Sequence, residues 1–431
     1  MSLGVALLVA LGCGDDSAAP VDASTDVGMD TGRRDAGPPD GGPPPTADPH
    51  KGPWVQAPGT DHVAVLWESQ LRPDSVAVRY TPAGGGASVV AADGTSREGV
   101  VPMAYGATYP IVEEPDVAGT FYVNEVRLEG LEAGRCYVYE IDGHPDATGR
   151  FCTMHETADA PIHFYAIGDT NPTIGGTGHY DGLADSPVEF TVHLGDLQYY
   201  SSLFETWQGW FGLMRPLLQA GAFLPCVGNH EDEIEGEFEA FYERLFGSPH
   251  DDGDVTRYHY QTGGVHFFSL SSESPLDVGS EQIGWLEAEL AEAEATAGYR
   301  FSVLYMHRPI VSTSDFRPRA EVRAALEPII EAHRIPLVLA GHVHAYERFE
   351  FEDTTYVTSG GGGVVVTDTE ELVEEFPEDA ARRVIAGAFP HGVYFTIRRT
   401  ADADLIEGVA VDDDGVDRDS FTRTVPFADA L

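Results

Sequence analysis

Five short apolar runs constrain this chain more than anything else in it: IHFYAI at 162–167, VEFTVHL at 188–194, AFLPCV at 222–227, FSVLYM at 301–306 and PLVLA at 336–340. Each is four to seven residues long and rich in β-branched and aromatic side chains, the pattern of a strand buried on both faces. Between and around them lie segments with helical spacing, near 201–220, 236–246, 280–296 and 319–333. The clearest is EQIGWLEAELAEAEA, which puts Ile283, Leu286 and Leu290 on one face. Strands alternating with helices predict an α/β layered fold. Ligands of such a fold bind beyond the carboxyl ends of its strands.

The residues just past each run are the second constraint. The five runs lead into Gly168-Asp169-Thr170-Asn171, Gly195-Asp196-Leu197-Gln198-Tyr199, Gly228-Asn229-His230-Glu231, His307-Arg308-Pro309 and Gly341-His342-Val343-His344. Taken singly, each block is an ordinary turn or cap. Together they place Asp, Asp, Tyr, Asn and three His at strand ends, expected at one face of one sheet. Carboxylate, phenolate, amide and imidazole donors suit hard or borderline ions such as Fe, Zn and Mn.

In order, these blocks resemble the five signature motifs of the calcineurin-like metallophosphoesterases. GDLQY, with tyrosine three residues after aspartate, and AGHVHAYER resemble the purple acid phosphatase branch of that superfamily. The resemblance spans about 51–430 and includes YVTSGGGG at 356–363. It implies a four-layer αββα catalytic domain with two metal ions. The first ion would take Asp169, Asp196, Tyr199 and His344, and the second Asp196, Asn229, His307 and His342, with Asp196 shared. Tyrosinate favours iron in the first site; Zn, Mn or Fe would fill the second. By the same resemblance His230 hydrogen-bonds the phosphate or protonates the leaving group. Plant enzymes of this type carry further histidines in the loop after the fourth motif. Here that loop reads RPIVSTSDFRPRA and has none. Arg308, Arg317 or Arg319 would then supply substrate contacts, and Asn171 is a further candidate.

Ahead of this unit, residues 51–156 show alternating strands and turn signals with little helical periodicity. An all-β sandwich is expected here. LEGLEAGRCYVYEI resembles the E–F corner of fibronectin type III domains, which implies that Tyr137 bonds back to the preceding loop. GPWVQAPGTDHVAVLWES resembles the start of the sandwich that precedes the catalytic domain in plant-type purple acid phosphatases. Cys136 and Cys152 fall in two predicted strands joined by a short loop, compatible with a disulfide or with two buried thiols. Cys226 reads as a small core residue. His163, His193 and His266 lie inside apolar strands and read as packed side chains. The catalytic unit runs from 157 to 431, and its tail, with YFTIRR, is expected to complete the second sheet. Asp412-Asp413-Asp414-Gly415 lacks the spacing of a calcium loop.

Residues 1–13 end a short apolar run, MSLGVALLVALG, at a cysteine. The run is too short to span a membrane and reads as the core of an export signal. Ala10-Leu11-Gly12-Cys13 resembles a bacterial lipobox, which implies lipidation of Cys13; an ordinary signal peptide is the alternative. Residues 14–50 are rich in Gly, Pro and Asp and read as a tether. The predicted location is periplasmic or cell-surface, otherwise secreted.

Charge narrows the partners. With 71 acidic against 25 basic side chains, the formal net charge is −46. Such a field opposes binding to a nucleic-acid backbone or to anionic lipid headgroups. An anionic substrate needs a local positive centre, which metals supply. The expected activity is phosphomonoester hydrolysis. A phosphodiesterase or nucleotide hydrolase on the same metal core is one alternative, and a non-catalytic surface-binding protein is another. The oligomeric state is not legible.

Overall fold

The strand Ile162–Ile167 is buried on both faces, and its neighbours explain why. It pairs in parallel with Phe190–His193, which pairs in parallel with Ala222–Pro225. The computed structural model describes residues 44–247, 254–363 and 367–427. Cys13, the export run and most of the tether lie outside them. Among the described residues no helix is long and apolar enough to cross a membrane.

The five runs divide between two sheets rather than sharing the one expected. The first three lie in a ten-stranded sheet. Phe301–Met306 and Leu337–Ala340 lie side by side in a seven-stranded sheet, flanked in parallel by Val265–Ser269 and Thr355–Ser359. The sheets pack on each other: Phe164, Phe190 and Leu224 share a core with Phe267, Tyr305 and Leu339. The outer residues of the seven-stranded sheet, among them Leu304 and Val338, pack on helices Glu281–Ala295 and Ala320–Ala332 through Leu286, Leu290 and Leu326. Tyr165, Ile167 and Phe223, on the other sheet's outer face, meet Trp207, Trp210 and Leu217. A fully buried strand reads the same whichever sheet takes it, so a single sheet was the natural expectation.

The tail also departs from expectation. His391–Arg399 pairs antiparallel with Ile162–Ile167, in the first sheet and not the second. Phe395 faces Phe164 in that register, and their rings stack at 4.7 Å. Of the predicted helices, 281–295 and 320–332 form as expected. The 201–220 segment is broken, because Leu203 adopts a left-handed φ of 61° and the helix starts only at Trp207.

The stretch expected as a sandwich forms two strand sets. Val78–Pro82, Val89–Ala91, Cys136–Ile141 and His144–Cys152 make a four-stranded sheet. Pro49–Gln56, His62–Ser69, Thr95–Val101 and Gly119–Glu129 instead extend the ten-stranded sheet, through the parallel pair Val55 and Ala222. Their inward residues, such as Val65, Trp67, Tyr139 and Phe151, join one apolar cluster. Pro45–Leu431 is accordingly one compact unit. A disulfide joins Cys136 to Cys152, and Cys226 is buried in the core. The Tyr137 hydroxyl accepts from Glu132 N at 3.1 Å, the expected corner bond.

Candidate metal centre

All five strands deliver their carboxyl ends to one place. The turns there are tight, and three of the predicted ligands sit in left-handed backbone: Asp169 (φ 59°), Asp196 (φ 54°) and His342 (φ 67°). Such conformations cost about 1 kcal/mol or more and persist only where the surroundings fix them. The glycines of the motifs have a steric role. A side chain at Gly341 would put its Cβ 2.6 Å from Asp169 Oδ2, and one at Gly228 would overlap Asp196 Oδ1. Glycine lets the backbone pass beneath the carboxylates.

The seven predicted ligands converge. Tyr199 Oη lies 3.1 Å from Asp169 Oδ1, 3.2 Å from Asp196 Oδ2 and 3.4 Å from His344 Nε2. On the other side, His307 Nε2 lies 3.2 Å from Asp196 Oδ2. It is 3.1 Å from both Asn229 Oδ1 and His342 Nδ1. The same oxygen, Asp196 Oδ2, therefore stands between two donor groups. His307 Nδ1 is 2.8 Å from Leu194 O, and donating there leaves Nε2 to face the cluster. Asp196, His307 and His342 bring one ligand atom each within 4.8 Å of one another. This crowding of carboxylates, imidazoles and a phenol, all buried except the half-buried His344, fits two hard or borderline cations.

Electrostatics point the same way. Burial works against a charged His307 ring, but Asp196 outweighs it and pushes the pKa up to about 10. The Tyr199 phenol is driven upward by burial and by the Asp169 and Asp196 charges, so its ionisation calls for a cation nearby. Burial also opposes ionisation of Asp196, yet the His307 and His230 charges hold it well below the usual carboxylate range.

His230 lies at the edge of this cluster. Its N–H donates to Asp196 Oδ1 at 2.9 Å, its ring packs on Tyr199 at 4.2 Å, and its Nδ1 is 2.6 Å from Glu233 Oε1. Burial alone would lower its pKa; Asp196 and Glu233 together raise it to about 9. Sequence reasoning missed Glu233, whose only signal was an acidic side chain three residues on. It also passed over Glu231. That buried carboxylate accepts from Leu197 N (2.7 Å), Asp196 N (3.0 Å) and Gly228 N (2.5 Å), tying the second motif to the third. Burial, and then the Asp196 charge, push its pKa up to about 8.

The predicted substrate contacts fare differently. Arg308 reaches the cluster, with Nη1 3.0 Å from His342 Nε2, while its Nε and Nη2 bind Glu273. Arg317 is exposed and bound to Glu375. Asn171 is buried, and its Oδ1 accepts from Ile174 N within its own loop.

Two of these groups make the protein's behaviour depend on pH. Between about pH 6.5 and 10 the folded, metal-free protein keeps a proton on His307 that the unfolded chain has lost. Glu231 does the same between about pH 4.5 and 8. Both contributions make metal-free stability fall as pH rises across these windows. A cation held by His307 would displace that proton, so metal affinity is expected to rise with pH. Thermal unfolding with and without Zn or Fe should show a metal-dependent gain in Tm that grows from pH 6 to 9. A gain that shrinks over that range would exclude His307 as a ligand.

Comparison with known proteins agrees with the geometry. Residues 162–346 match the calcineurin-like phosphoesterase family. Probable purple acid phosphatase 20 of Arabidopsis thaliana is 25% identical over 327 residues, 72% of this chain and 75% of that one. Purple acid phosphatase 18 of the same plant is 29% identical over 253 residues, but the match spans only 56% of its length. A purple acid phosphatase from yellow lupin (Lupinus luteus) seeds superposes with a TM-score of 0.66 at 17% identity, over 89% of this chain and 76% of that one. PhoD superposes with a TM-score of 0.55 at 13% identity, over 89% of this chain and 93% of that one. At such identities the structural likeness establishes the fold alone.

Proposed function

We propose that the chain is a purple acid phosphatase-like phosphoesterase of the calcineurin-like superfamily, a reading supported by its family match and its relatives, and that it hydrolyses phosphomonoesters at a dinuclear metal centre. The observation that carries the reading is Asp196 Oδ2, 3.2 Å from both Tyr199 Oη and His307 Nε2. In this reading Asp169, Asp196, Tyr199 and His344 hold a first ion, iron, and Asp196, Asn229, His307 and His342 hold a second, Zn, Mn or Fe. When bound, the ions supply positive charge for the phosphoryl group and lower the pKa of water toward about 7.

The protein's own groups do the rest. Glu233 orients the His230 ring and favours its charged form, so His230 can give a proton to the leaving oxygen. Arg308 is aimed by Glu273 and meets the phosphate. The facing sheets, with helices outside, are read as the four-layer catalytic arrangement, and residues 51–156 as a fibronectin type III-like sandwich built onto it.

The test is the hydrolysis of an aryl phosphomonoester against its bis-aryl diester, by metal-loaded protein. A strong monoester preference is expected; a diester preference would replace the phosphatase reading with a phosphodiesterase. Tyr199→Phe is expected to abolish visible absorption of the iron-loaded protein while metal remains detectable. Persistent colour would move iron away from Tyr199.

Export belongs to the same proposal, supported by the disulfide between Cys136 and Cys152, a bond favoured outside the cytosol. Anchoring through Cys13 predicts that Cys13→Ser moves the protein from the membrane fraction to the soluble one. No shift would retire the anchor.

A further inference from the structure

A cleft opens where the metal-ligand cluster ends. Its walls include Arg308, Phe316, Arg317, Arg319 and His342. Phe316 packs against two predicted ligands, its ring 4.3 Å from that of His342 and 6.0 Å from that of His344. Three arginines around one cleft run against the composition of a chain with 25 basic and 71 acidic side chains.

The three are not equivalent. Glu273 neutralises Arg308, and Glu375 neutralises Arg317. Arg319 donates through Nη2 to the Ser272 carbonyl and makes no ion pair among the described residues. Ser272 also positions Arg308, its hydroxyl accepting from Arg308 N at 3.0 Å. One loop therefore holds both a neutralised arginine against the cluster and a half-buried arginine whose charge is uncompensated. Two cations and Arg308 suffice for one phosphoryl group. A neutral alcohol leaving group would give Arg319 nothing to bind.

We propose that Arg319 and its cleft form a second anion subsite, and that the preferred substrates are phosphate esters carrying a further phosphate or carboxylate on the alcohol portion. This rests on the phosphatase reading above and names its substrate class. A guanidinium fork recognises either anion by paired, charge-assisted hydrogen bonds. Arg319 acts on specificity and takes no part in bond cleavage.

The experiment uses the full-length, metal-loaded protein and two substrate pairs. Glucose 1,6-bisphosphate against glucose 6-phosphate reads a second phosphate. 3-Phosphoglycerate against glycerol 3-phosphate reads a carboxylate. Binding is followed by calorimetry and turnover by phosphate release. The doubly anionic member of at least one pair is expected to bind and react about tenfold better, the scale of one charge-assisted contact. Arg319→Gln should bring that ratio toward one, and Arg319→Lys should keep part of it. Equal binding of both members in both pairs would overturn the subsite. So would a ratio unchanged in Arg319→Gln. Hydrolysis without preference leaves the phosphatase standing and removes the subsite. An Arg319-dependent binding preference without any hydrolysis does the reverse.

Discussion

Asp196→Asn is expected to empty both metal positions and to lower kcat/KM by at least about 10³-fold, the loss of several kcal/mol of charge stabilisation. The two oxygens of this carboxylate have different partners. Asp196 Oδ2 faces Tyr199 and His307 at 3.2 Å each, and Oδ1 accepts the His230 N–H at 2.9 Å. Two cations about 3.5–4 Å apart need a shared negative group to offset their repulsion. Asparagine keeps the shape, and it tolerates the left-handed φ of 54° better than most residues. It can also still accept from His230 N. The fold should therefore survive while the charge is gone, which separates this variant from a misfolded one. Metal content by elemental analysis and turnover on an aryl phosphate are the two readouts. A folded Asp196→Asn protein with two bound ions and near-normal turnover would sink the dinuclear assignment.

The convergence of the proposed ligands was legible because each stands close behind a strand that announces itself. Asp169 is two residues past Ile167, and His307 directly follows Met306. Apolar runs of this length have few other fates, and the motif glycines mark the turns that close over the carboxylates. What remained hidden was pairing between distant segments. Nothing local to FSVLYM says that it leaves the sheet holding IHFYAI, because both strands are buried on both faces. Nothing in YFTIRR reveals that Phe395 will stack on Phe164.

The loop before Gly119–Glu129 is a sharper case. Tyr105 donates to Tyr200 O at 2.6 Å, and the two rings lie 4.0 Å apart. Asp116 is buried and accepts from Trp207 N and Gln208 N at 2.9 Å, capping the helix that comes after the Tyr199 loop. A carboxylate suits a helix amino terminus, but its sequence neighbours show no periodicity that could place it there. This N-terminal loop thus braces the loops that carry the proposed ligands from outside, and reading residues 51–156 as a sandwich could not show it.

Glu231 shows how a residue printed inside a motif can still have its role hidden, and it is the second place where a large effect is expected. Glu231→Ala should destabilise the protein by about 3–9 kcal/mol, at roughly 1–3 kcal/mol for each of three buried N–H groups left without an acceptor. That is a large share of the roughly 5–15 kcal/mol typical of a folded protein. The three donors are the N–H groups of Leu197, Asp196 and Gly228. Two belong to the turn that carries the shared carboxylate and one to the turn that carries Asn229, so the loss falls on the geometry between the proposed ions. Glu231→Gln separates the two consequences. Its oxygen can still accept from Asp196 N and Gly228 N, while its amide meets the Leu197 N–H donor to donor. Stability should then fall by about 1–3 kcal/mol, with metal affinity down by about 10–100-fold, the usual cost of disturbing groups that orient ligands. Chemical denaturation of the metal-free proteins reads the first effect, and metal titration of the folded variants reads the second. If Glu231→Ala unfolds with the wild-type midpoint and binds metal as tightly, the three hydrogen bonds do not hold the site, and the left-handed turn at Asp196 must be fixed by its other contacts, such as the Thr170 N–H on the Asp196 carbonyl.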